Sequence, residues 1–190
     1  DAAEMLLTDP SSLDGEILSA ASSHHTVRRI GNYVIKAAIQ NNASYSTASG
    51  LGALCANIGL EHGLRRIGDY ADLQSGARIT SALHLGGYFD DKAKVGRWLM
   101  SFEAGVLPTE HDKRITRSRL ERGTIYERAL QETGIKPEHV DYDDHLHNLL
   151  LRDSAVRLEL VKLDMQATAA GARNLAGPPR ALRRIAHRRK

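Results

Sequence analysis

Arginine clusters with no carboxylate beside them are the pattern here with the clearest chemical meaning. From Arg173 to Lys190 the chain carries seven basic residues and no acid. Arg180, Arg183, Arg184, Arg188, Arg189 and Lys190 all follow Gly177-Pro178-Pro179. A guanidinium presents a planar fork that meets two phosphate oxygens at once. Each phosphate neutralised by such a tail releases counterions, so binding to DNA or RNA would be tight and salt-dependent. Leu182, Ile185 and Ala186 also allow a short amphipathic helix, which makes an anionic membrane surface a rival partner.

A second arginine pattern occurs twice. His25-Thr26-Val27-Arg28-Arg29-Ile30-Gly31-Asn32-Tyr33 repeats the offsets of His62-Gly63-Leu64-Arg65-Arg66-Ile67-Gly68-Asp69-Tyr70. In each copy Asn32 or Asp69 follows the glycine and can cap a helix. Arg28, Arg29, Arg65 and Arg66 would then stand beside helix N-termini, where free N–H groups and the macrodipole favour an anion. A third cluster, Lys113, Arg114 and Arg117 with Arg119 and Arg122, reads as a phosphate-gripping helix face or as a solvated one paired with Glu110, Glu121 and Glu127.

Signals for catalysis are weak by comparison. Asp143-Asp144-His145-Leu146-His147 holds metal-capable side chains, but on a helix residues 143 and 147 share a face while 145 points away. No metal, cofactor or catalytic residue is therefore expected. There is no P-loop, no dinucleotide fingerprint and no Gly-x-Ser-x-Gly elbow. Cys55, the single cysteine, lies between Leu54 and Ala56 and reads as a small buried hydrophobe.

The elements that would carry these residues read as helical. Aromatic content is 5%, and neither sustained alternation nor an Asn-Gly or Asp-Gly turn marks hairpins. Helical spacing is read from Asp9-Pro10 to Leu18, from Asn32 to Gln40, from Leu51 to Glu61, from Asp69 to Gly86, and from Asp91 to Ala104. Another helix begins near Thr109, and a further one runs from Thr124 to Glu132 and closes at Gly134. The Ala- and Gly-rich Leu51–Glu61 stretch is nearly uncharged and should be a buried central helix. Leu149, Val156, Leu163 and Ala170 recur every seven residues, which predicts one long helix from Asp141 to Asn174.

The expectation is a mainly α fold: a single multi-helix domain over 1–176, then a basic tail over 177–190. The net charge of +3 is uneven, the acids being in excess before residue 110 and the bases after it. No apolar run reaches the ~18 residues of a membrane span, and no secretory signal is read at the start. The chain opens at Asp1, which proteolytic maturation of a structural protein or simple trimming of the sequence would explain equally well. These features point to a self-associating nucleic-acid-binding structural protein of capsid, nucleocapsid or packaging type, cytoplasmic or within a virus particle, and not to an enzyme. A helical DNA-binding regulator is the first alternative, since Tyr126 to Leu151 loosely has a helix–turn–helix layout. A small metal-dependent enzyme is the second.

Overall fold

The computed structural model describes residues 5–7, 14–19, 25–38, 47–68, 77–90, 95–110, 112, 119–153 and 157–175. Of these, 39% are helical and 37% lie in strands, so the mainly α expectation is wrong and the fold is mixed. Five strands, β1 (Glu16–Ser19), β2 (His25–Ile30), β3 (Tyr33–Ala38), β5 (His84–Asp90) and β6 (Val95–Ser101), form an antiparallel sheet in the order β1-β2-β3-β6-β5. A three-stranded sheet has the order β4-β9-β8, made of β4 (Arg78–Ser81), β9 (Leu158–Lys162) and β8 (Leu149–Asp153). A two-stranded ladder joins β7 (Val140–Asp141) to β10 (Gln166–Ala167). Three α-helices, α1 (Thr47–Ile67), α2 (Arg119–Glu132) and α3 (Ala169–Leu175), and two 3-10 helices, Pro137–His139 and Leu146–Asn148, accompany the sheets.

The segment read as a helix from Asn32 is β3, and its partner is β2. The decisive signal is Gly31-Asn32: Ile30 pairs with Tyr33 across a two-residue turn, with Gly31 at φ +60°. A hairpin turn of this kind needs a positive φ at its first central residue, which glycine supplies without steric cost. Val34 and Ile35, β-branched and buried, suit the strand they occupy. The region read as a helix over 91–104 contains β6, whose Gly96 to Met100 are all buried. Continuous burial of a central strand erases the alternation that would have identified it. Likewise Ile17 and Leu18 lie in β1, and Arg78 to Ser81 form β4.

The long helix over 141–174 does not exist. Leu149 begins β8, Leu160 lies in β9, Leu163 follows it and Ala170 is in α3, while Val156 lies outside the described residues. The seven-residue spacing coincides with a hairpin: Asp153 pairs with Leu158 and Leu149 with Lys162. Leu149 and Leu151 are buried while Leu150 and Arg152 are less so, the period-2 pattern of a half-buried strand.

Two sequence expectations agree with the structure. α1 is the buried central helix, and α2 spans Thr124–Glu132 and ends before Gly134, which takes φ +74°. Gly63 on α1 lets α2 pass closely: a Cβ there would lie 1.9 Å from the Ala129 carbonyl oxygen. Leu60, Leu64, Tyr126, Ala129, Leu130, Leu149, Leu160 and Met165 form the main core between α1, α2 and the β8–β9 hairpin. Leu54, Ile58 and Trp98 pack α1 onto the five-stranded sheet. α1 therefore lies between the two halves, and polar groups gather along it where they meet.

Candidate functional site

Lys36 projects from the middle of β3, and its Nζ is ion-paired with Asp164 Oδ2. Asp164 sits just past β9, so this pair links the five-stranded sheet to the β8–β9 hairpin. Lys36 Nζ also lies 5.0 Å from the centroid of the buried Trp98 ring. Asn57 of α1 clamps the other side: its Nδ2 donates to Asp164 Oδ1 at 3.0 Å, and its Oδ1 accepts from the Met165 amide at 2.9 Å. Burial alone would raise the Asp164 carboxyl, but Lys36 and, more weakly, His84 and Lys162 hold it below the usual carboxylate range.

Above this pair lies His84, the first residue of β5, which is fully enclosed. Neither ring nitrogen has a hydrogen-bond partner among the described residues. Its backbone amide donates to Glu61 Oε2 at 3.2 Å, and Glu61 Oε1 pairs with Arg65 Nη2 at 2.9 Å. Burial lowers the imidazole to about 4, against attraction from Asp164, so it is neutral at physiological pH.

Below the pair, the 141–148 loop is held unusually tightly. Asp143 is the one described non-glycine residue in the left-handed region, at φ 43°. Such strain persists only where surroundings over-determine it, and it concentrates at functional sites. Here the Asp143 carbonyl accepts from Lys162 Nζ at 2.8 Å and from Asn148 Nδ2 at 3.1 Å. Its amide donates to Asp141 Oδ1 at 3.0 Å, and its Oδ2 accepts from Gln166 Nε2 at 3.0 Å. Leu163 N donates to the Asn148 carbonyl at 2.9 Å, so Asn148 and Asp164 lie at the same end of the β8–β9 hairpin. Lys162 is 1% exposed. Burial lowers it to about 8, opposed by Asp144, Asp164 and Asp143 and assisted by Arg122.

Beneath the loop, the buried Arg122 of α2 is held by Asp144: Nε donates at 3.1 Å to Oδ2, and Nη2 forms a second bond to the same carboxylate. Arg119, Gly123, Tyr126, Asp141, Tyr142, Asp143 and Asp144 line an open cleft of about 190 Å³.

The residues singled out from sequence sit elsewhere. Arg28 and Arg29 lie in β2, and Arg65 and Arg66 lie in the last turn of α1, so neither pair stands at a helix N-terminus. Arg29 stacks 3.7 Å from the Phe102 centroid, and its Nε donates to the Gly31 carbonyl. Arg66 Nη1 donates to the Glu132 carbonyl at 2.6 Å, tying α1 to α2. Gly31 and Gly68 do share a positive φ, one in a hairpin turn and one closing a helix through Gly68 N to Leu64 O. Lys113, Arg114, Arg117, Arg180, Arg183, Arg184, Arg188, Arg189 and Lys190 lie outside the described residues. His145 and His147, read as lying on a helix, stack at 5.5 Å around a short 3-10 turn (Leu146–Asn148). Among the described residues no three His, Cys, Asp or Glu side chains converge to hold a metal. No described helix is long and apolar enough to cross a membrane.

Sequence reading missed Lys36, Asp143, Asn148 and Asp164. Two signals could have found them: a lone lysine inside the apolar run Tyr33-Val34-Ile35-Lys36-Ala37, and an aspartate and asparagine five apart leading into an apolar hairpin. The chain matches no family model, no curated protein and no solved structure.

Proposed function

We propose that this chain is a nucleotide-dependent phosphotransferase domain whose site lies between the five-stranded sheet and the β8–β9 hairpin. The observation that carries the reading is the Lys36–Asp164 pair, set beside a strained Asp143 with Asn148 five residues on. Phosphoryl transfer asks little covalent chemistry of a protein and much positioning of charge. Kinases meet that need with a lysine on the third strand of a sheet for the phosphates. They add an aspartate and an asparagine for magnesium, and the aspartate of an Asp-x-x-x-x-Asn loop to accept the hydroxyl proton. Lys36 would supply the lysine, Asp164 and Asn148 the magnesium ligands, and Asp143 the loop aspartate; along the chain they run Lys36, Asp143, Asn148, Asp164.

The donor set suits magnesium, which takes one or two carboxylates plus substrate phosphates and keeps several waters. Asp164 and Asn148 would hold the ion, which supplies charge neutralisation at the phosphates. Lys36 would orient the transferred phosphate, and Asp143 would face the acceptor hydroxyl. Four departures narrow the reading. The residues between β1 and β2, Ala20 to His24, include no glycine, so a glycine-rich phosphate cover is missing. Asp141 stands where kinases place the histidine of the His-Arg-Asp loop, and Met165-Gln166 follow Asp164 in place of Phe-Gly. Glu61 is occupied by Arg65 and the His84 amide, not by Lys36.

Calorimetric titration with MgATP tests the proposal. Binding should disappear in Lys36→Met and Asp164→Asn, while Asp143→Asn should bind MgATP but lose turnover.

The arginine-rich C-terminal segment favours a second reading, a structural nucleic-acid-binding protein of packaging type. Its support is the run of seven bases without an acid from Arg173 to Lys190. Affinity for mixed-sequence DNA and RNA should then fall steeply with salt. It should collapse on truncation after Gly177; no binding at low salt would reject this reading.

A further inference from the structure

We infer that Lys162 is a positioning residue for Asp143, holding the loop aspartate in its left-handed conformation; the inference rests on the phosphotransferase reading for its catalytic consequence. Lys162 closes β9 opposite Leu149, inside the core, where an apolar side chain would be the ordinary occupant. Its ammonium is not spent on a surface ion pair. Nζ donates to the Asp143 carbonyl at 2.8 Å. The second donor to that carbonyl is Asn148 Nδ2, at 3.1 Å. A carbonyl has two lone pairs, and both are used. The peptide after Asp143 is thereby pinned from two elements, β9 and the turn before β8, which is the over-determination that a strained residue requires.

The charged groups facing Lys162 explain why an ammonium is tolerated there. Asp143 and Asp144 approach from the loop, Asp164 from beyond β9, and the Arg122 guanidinium from α2. Arg122 already neutralises Asp144. Lys36 likewise pairs with Asp164, so the direct contact left to the Lys162 ammonium is the Asp143 carbonyl. Without it, the Asp143 carbonyl keeps only the Asn148 amide. Gln166, which orients the Asp143 carboxylate from β10, cannot replace a contact to the backbone.

The test pairs Lys162→Met, which keeps an unbranched apolar stem and removes the donor, with Lys162→Gln, which has a similar reach and keeps a donor. Amide hydrogen exchange over residues 141–148 is read alongside MgATP binding and basal MgATP hydrolysis. In Lys162→Met the loop should exchange at least tenfold faster. The MgATP Kd should shift less than about threefold, and hydrolysis should drop at least tenfold, with KM little changed. Lys162→Gln should recover part of the loop protection and part of the rate. Unchanged loop exchange in both variants would overturn the inference, as would an equal loss of protection across the whole domain. If the wild-type chain shows no MgATP binding, the phosphotransferase reading fails, while loop exchange still decides whether Lys162 positions Asp143. Should Lys162→Met fail to fold, the exchange profile of Lys162→Gln decides alone.

Discussion

Two buried cation–carboxylate pairs of this molecule differ in the elements they join. Arg122–Asp144 lies wholly within the half formed by α2 and the 141–148 loop, with side chains 2% and 10% exposed. It is a two-pronged guanidinium–carboxylate contact, the geometry that best recovers the cost of burying both charges. Lys36–Asp164 joins different sheets instead, through a single ammonium on a flexible stem. Its carboxylate has other polar neighbours in Asn57, Lys162 and His84. The two pairs are similarly buried, but the first lies within one half and the second spans a junction. On the proposed function, the second would exchange its partner for a phosphate.

Breaking the two pairs should separate these roles most sharply. Arg122→Met leaves Asp144 buried without its counter-charge and should cost about 3–5 kcal/mol of stability in urea unfolding. Lys36→Met also strands a buried carboxylate, but Asp164 keeps the Asn57 amide as a donor, so its stability cost should lie at the lower end of that range, about 3 kcal/mol. Yet only the second variant should abolish MgATP binding in a chain that still folds. Equal stability losses in the two variants would erase the distinction.

Acid titration sharpens the comparison next. His84 is lowered from 6.5 to about 4 by burial, so the folded state favours its neutral form. The unfolded chain takes up this proton first as pH falls. The contribution is thus fully present above pH 6.5 and is lost between there and about pH 4. The loss should be on the order of 3 kcal/mol. His84→Leu should flatten that limb of the stability–pH curve. Asp164, itself held low, adds a further loss only as pH falls below its ordinary 3.8. A wild-type curve that is flat from pH 6.5 to 4 would contradict the burial of an unpartnered imidazole.

A smaller effect is expected at the contact between α1 and α2, the helix that carries Arg122. Gly63→Ala would place a methyl 1.9 Å from the Ala129 carbonyl oxygen and force the helices apart. Overpacking of this kind costs about 1–3 kcal/mol. MgATP binding should survive, since Lys36 and Asp164 lie outside that contact.

The sequence was legible where structure is local. α1 and α2 declared themselves through an Ala/Gly-rich uncharged run and a Gly134 stop, and Cys55 is buried as its neighbours implied. Strands whose burial is continuous, such as Gly96 to Met100, leave no alternation to read. The heptad-like leucines at 149 and 163 were separated by a hairpin that spacing alone cannot reveal. The Arg-Arg-Ile-Gly echo shows the same limit: one copy runs through a strand into a hairpin and the other closes a helix, because partners in the sheet decide between them. What the two copies share is the glycine's positive φ, not a place at a helix N-terminus. The site itself was illegible for a related reason. Lys36 and Asp164 are 128 residues apart, and only the pairing of β3 with β6 and the placement of α1 bring them together.

The most direct measurement is a calorimetric titration of the wild-type chain with MgATP, run beside Lys36→Met. The account predicts saturable binding to the wild type and none to the variant, with both folded by circular dichroism. Absence of binding to the wild type, or equal binding to both, would contradict the assignment of the Lys36–Asp164 junction as a nucleotide site.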